Sequence, residues 1–365
     1  MGDLVLWIVV ATALAFDFTN GFHDTANAVA TSISTRAMPP RVAVTIAAVL
    51  NFVGAFLSFQ VAATIASGIV VADLVTPSIV FAGLVGAIAW NLATWYFGLP
   101  SSSSHALIGG VVGSALVAAG PDAVKGDGLV EKVAVPALVA PLLALAVAGV
   151  AITLAYRIVG RLSPGPTARG FRLGQIVSGS LFSLSHGTND AQKTMGIIFL
   201  ALVANGSLEP ADAVPLWVKL YAATAIALGT YAGGWRIIKT MGSRIIKMDP
   251  AQGFAAQGAG AAVILSASHA GFPLSTTHVI TGGIMGAGAA KRISAVRWGV
   301  AGNIVIAWVL TLPAAAAVGG LTYGVVALFG ADDTGPLVVA VLLVIALTAA
   351  FGRRLIAGRT LTAEG

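Results

Sequence analysis

Charge is what this sequence has least of, and cysteine it lacks altogether. Asp, Glu, Lys and Arg make up 9% of its 365 residues, against about 25% in a soluble globular chain. A surface so poor in charge cannot face water over most of its area. The absence of cysteine excludes disulfides, thiolate metal sites and cysteine nucleophiles. The N-terminus, MGDLVLW, has no basic leader and no small-residue cleavage site, so it reads as part of a mature span rather than a signal peptide. The net charge of +6 lies in loops, so it reports topology, and no nucleic-acid partner is expected.

What is present is apolar. Hydrophobic residues make up 57% of the chain and glycine contributes 44 residues, as membrane helices that pack backbone to backbone require. Lipid is the expected surrounding. A membrane span needs about 20 apolar residues. Candidate spans fall near 4–31, 41–65, 78–98, 102–119, 133–156, 173–204, 215–235, 253–269, 275–290, 298–329 and 336–352. Runs 4–31 and 173–204 are long for a straight span and carry polar residues in the middle. Runs 78–119 and 253–290 are each interrupted by a Pro-containing break.

Basic loops mark the inside. They contain Arg36 and Arg41; Arg157, Arg161, Arg169 and Arg172; Arg236, Lys239, Arg244 and Lys247; Lys291, Arg292 and Arg297. Arg353, Arg354 and Arg359 place the C-terminus in the cytoplasm. The segments around Asp3, Asp73, Glu209–Asp212 and Asp332–Asp333 lack Lys and Arg and read as outside. The first half then begins outside and the second inside, which is the parity of an inverted repeat.

The motifs repeat in the same order. Asn20-Gly21-Phe22-His23-Asp24 aligns with His186-Gly187-Thr188-Asn189-Asp190, 166 residues on. Pro100-Ser101-Ser102-Ser103-Ser104-His105 aligns with Pro273-Leu274-Ser275-Thr276-Thr277-His278, 173 residues on. Gly109, Gly110 and Gly113 recur as Gly282, Gly283 and Gly286, and are expected to pack the hairpin arms together. The expected fold is therefore an all-α polytopic membrane protein, an inverted-topology repeat with two broken spans and two Pro-Ser/Thr hairpins. The first repeat covers 1–160, with broken span 4–31 and hairpin region 78–119. A basic cytoplasmic linker covers 161–172. The second repeat covers 173–365, with broken span 173–204, hairpin region 253–290 and the C-terminal spans.

A carboxylate at the bilayer centre costs roughly 2.5–3.5 kcal/mol on insertion scales, so Asp24 and Asp190 need a reason. Gly21 and Gly187 permit non-helical backbone, and both spans are expected to unwind there and line a polar cavity. The Ser/Thr motifs each precede an apolar helix, whose N-terminal amides and hydroxyls suit an anion. Two carboxylates beside an anion would repel it unless a cation lies between them. The residues thus point to coupled movement of an anion and a cation, by a carrier rather than an enzyme. Lys193, the single cation of its span, is expected to pair with Asp190 or touch the anion. Gln192, His105 and His278 are further candidates. An aspartyl intramembrane protease is disfavoured by the absence of its Gly-x-Gly-Asp context. A passive channel leaves the paired acids unexplained.

These motifs resemble the inorganic phosphate transporter (Pit) family across nearly the whole chain. His23-Asp24-Thr25-Ala26-Asn27-Ala28, Asn189-Asp190 and the segment from Gly233 to Gly242 carry the likeness, which is greatest to the bacterial low-affinity branch. The resemblance implies a phosphate symporter of the inner membrane working by alternating access. It places phosphate on Asp24, Asn27, Asn189, Asp190, Ser102, Ser103, Ser104, Ser275, Thr276 and Thr277. The paired carboxylates themselves put the coupling cation on Asp24 and Asp190, with His23 and Asn20 beside them. Sodium-coupled relatives usually have Asn where His23 stands and Glu where Asn51 stands, so the resemblance favours H+ over Na+. It implies no cofactor, carriage of phosphate with a divalent cation, and a homodimer. A sulfate permease of the same family is the alternative.

Overall fold

The computed structural model describes residues 2–159, 162–331 and 334–363; Arg161, Asp332 and Asp333 lie outside the described residues. The described residues form fourteen α-helices: α1 (Gly2–Ser34), α2 (Pro40–Gly54), α3 (Gln60–Ser67), α4 (Pro77–Phe97), α5 (Ser103–Ala119), α6 (Gly126–Leu129), α7 (Val135–Val159), α8 (Pro164–Ala204), α9 (Leu216–Ala232), α10 (Trp235–Lys239), α11 (Pro250–His269), α12 (Thr276–Lys291), α13 (Trp298–Leu328) and α14 (Thr334–Ala363). A wide-turn segment, Val130–Ala134, joins α6 to α7. The helices α1, α4 and α13, and the joined α6–α7, are long and apolar enough to cross a membrane. Leu138, Leu142, Val309 and Leu321 stand out of the helical shell, as lipid-facing side chains do.

The two hairpins form where the sequence places them. Gly98 and Gly271 end α4 and α11 at φ +66° and +76°, a left-handed turn that favours glycine. Pro100 and Pro273 follow. Ser102 then caps α5, accepting from the His105 amide at 3.1 Å, and Ser275 caps α12, accepting from the His278 amide at 3.3 Å.

The expected unwinding of the first spans does not occur. Helices α1 and α8 run without interruption through Asp24 and Asp190. Gly21 and Gly187 serve a different need. A Cβ on Gly21 would lie 2.3 Å from the Ile226 carbonyl of α9, and one on Gly187 would lie 2.2 Å from the Asn51 carbonyl of α2. Both glycines admit a neighbouring helix instead of a bend. The interruptions fall in the next helix of each half: between α2 and α3 at residues 55–59, and between α9 and α10 at Gly233, where φ is +73°. The expected linker is also mostly helical, because Pro164 suits a helix start and α8 begins there.

Contacts recur between the halves. The first hairpin packs on α13, which follows the second hairpin, and the second hairpin packs on α7, which follows the first. Gly109 and Gly113 meet Leu312 and Ala316 of α13, and Gly282 and Gly286 meet Pro141 and Leu145 of α7. Of the repeated glycines, Gly110 and Gly283 pack the hairpin arms together; the others join the halves. Helices α1 and α8 run antiparallel. Asp17 faces Thr194, Asp24 lies by Asp190, Ser32 lies by Gly179, and Thr35 donates to Gln175 at 2.6 Å.

Two apolar cores flank this pair. One gathers Val9, Phe16, Phe81, Leu107 and Ile198; the other gathers Ala30, Ile152, Phe182, Met241 and Ile280. Along α1 and α8 the polar motifs fall between them. At one end of the molecule, Lys291 and Tyr156 bond Asp249, and Arg297 bonds the Ile245 carbonyl. At the other, Val71 bonds Ala123 and Lys125 bonds Ile69 through their backbones.

Candidate ion-binding site

The polar layer between the cores is densely packed and buried. Asn20, His23, Asp24, Asn27, Asn189, Asp190, Lys193 and the hydroxyls from Ser101 to Ser104 and from Ser275 to Thr277 are all buried. The hairpin tips meet here. Ser104 donates to the Leu274 carbonyl at 3.0 Å, and the His105 and His278 rings lie 4.8 Å apart. Trp308 of α13 stacks on His278 at 3.9 Å and donates to the Pro100 carbonyl at 3.2 Å, tying both tips together.

Each half contributes a carboxylate with a basic partner. His23 Nδ1 lies 2.6 Å from Asp24 Oδ1, and its Nε2 reaches Thr94 at 3.1 Å and Ser101 at 3.4 Å. Lys193 Nζ donates to Asp190 Oδ1 at 2.6 Å, Ser104 Oγ at 2.6 Å and the Leu274 carbonyl at 2.8 Å. Its three protons are thereby spent, and of the two sequence readings the geometry shows the ion pair. Asn27 donates to Thr277 at 2.9 Å and Thr276 at 3.3 Å. The hydroxyls of Thr277 and Thr276 reach Asp24 and Asp190 at 3.5 and 3.4 Å. Asn189 donates to Ser268 and to the Phe272 carbonyl.

Several buried atoms lack hydrogen-bond partners among the described residues: Ser103 Oγ, Asn27 Oδ1 and Asn189 Oδ1. Buried polar atoms are ordinarily satisfied, so this layer has spare capacity where the motifs converge. Asp24, His186 and Asp190 present ligand atoms within 4.8 Å of one another, a spacing that suits a cation between two carboxylates. The orientation of His186 fits. Asn51 donates from Nδ2 to Thr230 at 2.8 Å, so its Oδ1, 3.0 Å from His186 Nδ1, accepts a proton from the ring. His186 Nε2 then faces Asp190 Oδ2 at 3.3 Å. A cation shared between that nitrogen and the carboxylate fits this arrangement.

Of the residues anticipated from sequence, Gln192 sits elsewhere. Its Oε1 accepts from the Val61 and Ala62 amides at 2.9 and 3.3 Å and so caps α3, which otherwise starts without a side-chain cap. Ser102 and Ser275 lie at the site, but their oxygens cap α5 and α12. Sequence reasoning passed over Thr94, Ser101 and His186, and gave Asn51 no role. Isolated polar residues within apolar runs were the available signal for Thr94 and Asn51.

Two hairpins meeting tip to tip over a buried polar layer, inside an apolar helical shell, define a membrane protein built to enclose a small ion. The sequence profile of the phosphate transporter family matches residues 20–168 and 161–319. A protein of Mycobacterium bovis named "Probable low-affinity inorganic phosphate transporter" is 58% identical over 327 residues, covering 89% of this chain and 78% of its own. A protein of the same name from Bacillus subtilis is 46% identical, covering 87% of this chain and 95% of its own. A solved structure described as "The sodium-dependent phosphate transporter" superposes with a TM-score of 0.80 at 26% identity, covering 89% of this chain and 99% of that one. The chain belongs to the phosphate transporter family. It is a transporter and not an enzyme, and the sulfate alternative finds no support in these comparisons.

Proposed function

We propose that this protein imports inorganic phosphate across the inner membrane by symport with a proton, through alternating access. The observation that carries the reading is the pair of carboxylates, Asp24 and Asp190, beside hairpin hydroxyls and unpartnered polar atoms. Phosphate would take Ser103, Ser104, Asn27, Asn189, Thr276 and Thr277, with Ser102 and Ser275 donating where their oxygens already accept. The free amides at the starts of α5 and α12 add positive potential. A cation at Asp24, His186 and Asp190 would remove the repulsion between acids and anion. A divalent ion there would travel as a metal–phosphate complex. The short His23–Asp24 contact supports a proton; the sodium reading rests on the name of the structural neighbour.

The antiparallel course of α1 and α8, which carry the matched motifs, supports an inverted repeat. The repeats would run over 1–160 and 173–365. The basic end, with Lys291 and Arg297, would face the cytoplasm, leaving the N-terminus outside and the C-terminus inside. The apolar shell leaves room for a homodimer.

Replacing Asp24 or Asp190 with Asn tests the reading. Coupled uptake should be lost while the protein still inserts, whereas full uptake by either variant would contradict it. Labelled phosphate uptake should also resist competition by sulfate. Phosphate can donate a hydrogen bond to an ionised Asp, and sulfate cannot.

A further inference from the structure

Two helical turns before Asp24, the same face of α1 carries a second carboxylate. Asp17, Asn20 and Asp24 follow the spacing i, i+3, i+7, which shares one helix face. Thr194 lies one turn beyond Asp190 on α8, and Thr194 and Asn20 both face Asp17. All three side chains are fully buried. Both oxygens of Asp17, both amide atoms of Asn20 and the Thr194 hydroxyl complete no hydrogen bond among the described residues. These are polar atoms of three residues aimed at one place, with apolar Ala13, Phe16, Met195 and Ile198 nearby in sequence and equally buried.

Among the described residues, the neighbouring helices supply no uncommitted countercharge. The charged groups whose fields reach Asp17 are Asp190, which repels it, and Lys193, which attracts it. Lys193 is already engaged by Asp190, Ser104 and Leu274. Helix α4 has no charged residue. The lysine of α9, Lys219, lies over the Phe59 ring at 4.1 Å. The stretch of α14 up to Ile345 carries no charged side chain. A buried ionised carboxylate faced only by a neutral hydroxyl and a neutral amide is costly. A proton removes the charge and adds an O–H donor in one step. A metal ion would need further oxygens, and the carbonyls of α1 here are held in an unbroken helical ladder.

We propose that Asp17, with Asn20 and Thr194, is a proton-binding site distinct from the phosphate site, and that it carries a second coupling proton besides the cation at Asp24 and Asp190. The inference rests on the cation-coupled reading above. Asp17 lies on the Asp73 side of the phosphate site. A cavity of about 300 Å³, lined by Phe199, Leu200 and Asp212, borders α8 at that end, between one and two turns beyond Thr194. The carboxylate takes one proton from water reaching it from this side and becomes a carboxylic acid, donating to Asn20 Oδ1 or Thr194 Oγ1. It returns the same proton to water on the opposite side after the transporter reorients. No bond other than O–H forms or breaks.

Infrared difference spectra of the full-length protein in lipid, taken across a pH titration, test the site directly. The native protein should show a buried protonated-carboxyl band at neutral pH that is absent from Asp17→Asn and unaffected by sodium chloride. No such band, its persistence in Asp17→Asn, or its loss on adding sodium at fixed pH would overturn the proposal. In proteoliposomes, Asp17→Asn should lose pH-driven accumulation relative to its own phosphate exchange at equal concentrations. Accumulation kept in proportion to exchange would overturn the proposal as well. If Asp17→Asn fails to insert, at least one of Thr194→Val and Asn20→Ala should shift the same band to that of a weaker hydrogen-bonded acid, and a band unmoved by both counts against the site. If the native protein accumulates no phosphate, the symport reading fails, while the infrared band still reports on Asp17 alone.

Discussion

Lys193 donates from Nζ to Oδ1 of Asp190 over 2.6 Å, with both side chains removed from solvent. The same ammonium reaches Ser104 and the Leu274 carbonyl, one on each hairpin tip. The pair therefore joins α8 to both hairpins. Any change of access that separates the tips must also rearrange this ammonium.

Removing one partner of a buried ion pair leaves an uncompensated charge, at a cost of about 3–5 kcal/mol. Lys193→Met should therefore lower the melting temperature in detergent sharply. The double variant Lys193→Met with Asp190→Asn should recover most of that loss and still not transport. Thermal unfolding of the two proteins side by side checks this, and equal melting temperatures would contradict it.

Ser103 and Ser102 adjoin in sequence and differ in duty. Ser103 Oγ has no partner among the described residues, whereas Ser102 caps α5. Ser103→Ala should leave stability unchanged and raise KM for phosphate about tenfold, equivalent to about 1.4 kcal/mol. Ser102→Ala should cost about 1 kcal/mol of stability through the lost cap. Uptake kinetics and melting curves on both variants separate the roles.

Gly21 and Gly187 admit α9 and α2 at distances that no Cβ can share. Gly21→Ala and Gly187→Ala should each reduce the yield of folded protein. If these glycines instead served a flexible break, alanine would leave folding intact and affect transport alone. Size-exclusion profiles of the solubilised variants distinguish the two.

At the basic end, Asp249 caps α11 and bonds Tyr156 and Lys291. Partial burial would raise its pKa, but the Gln252 amide, the Tyr156 hydroxyl and the Lys291 ammonium together hold it below the ordinary 3.8. A depressed folded-state value contributes stability that is full above the unfolded value and lost as pH falls through the folded one. Stability should thus decline below about pH 3.8 in part through Asp249, and Asp249→Asn should flatten that decline. Melting temperature against pH for both proteins measures it.

The hairpins were legible because each uses a local code: a glycine that ends one helix, a proline, and a serine that caps the next. The convergence of Asp24 and Asp190 was legible from their duplication within apolar runs. The course of the backbone around them was not. Glycine beside buried polar residues reads equally well as a place to unwind or as a place for another helix, and tertiary packing of Gly21 on Ile226 decides. The run 41–65 reads as one span because the features that divide it are distant: Gln192 supplies the cap of α3 from another helix. Lys193 could be placed by charge alone, but its contact with Leu274 depends on a tip 81 residues away. Asp17, two turns before Asp24, was passed over in the sequence, because its isolation from other charges depends on the neighbouring helices.

Phosphate accumulation by the native protein in proteoliposomes, with pH and sodium gradients imposed separately, bears most directly on the central claim. An inward proton gradient should drive phosphate above its external concentration without sodium, and collapsing that gradient should release it. Uptake that merely equilibrates and ignores both gradients would contradict symport, and accumulation that requires sodium and ignores pH would contradict the proton as coupling ion.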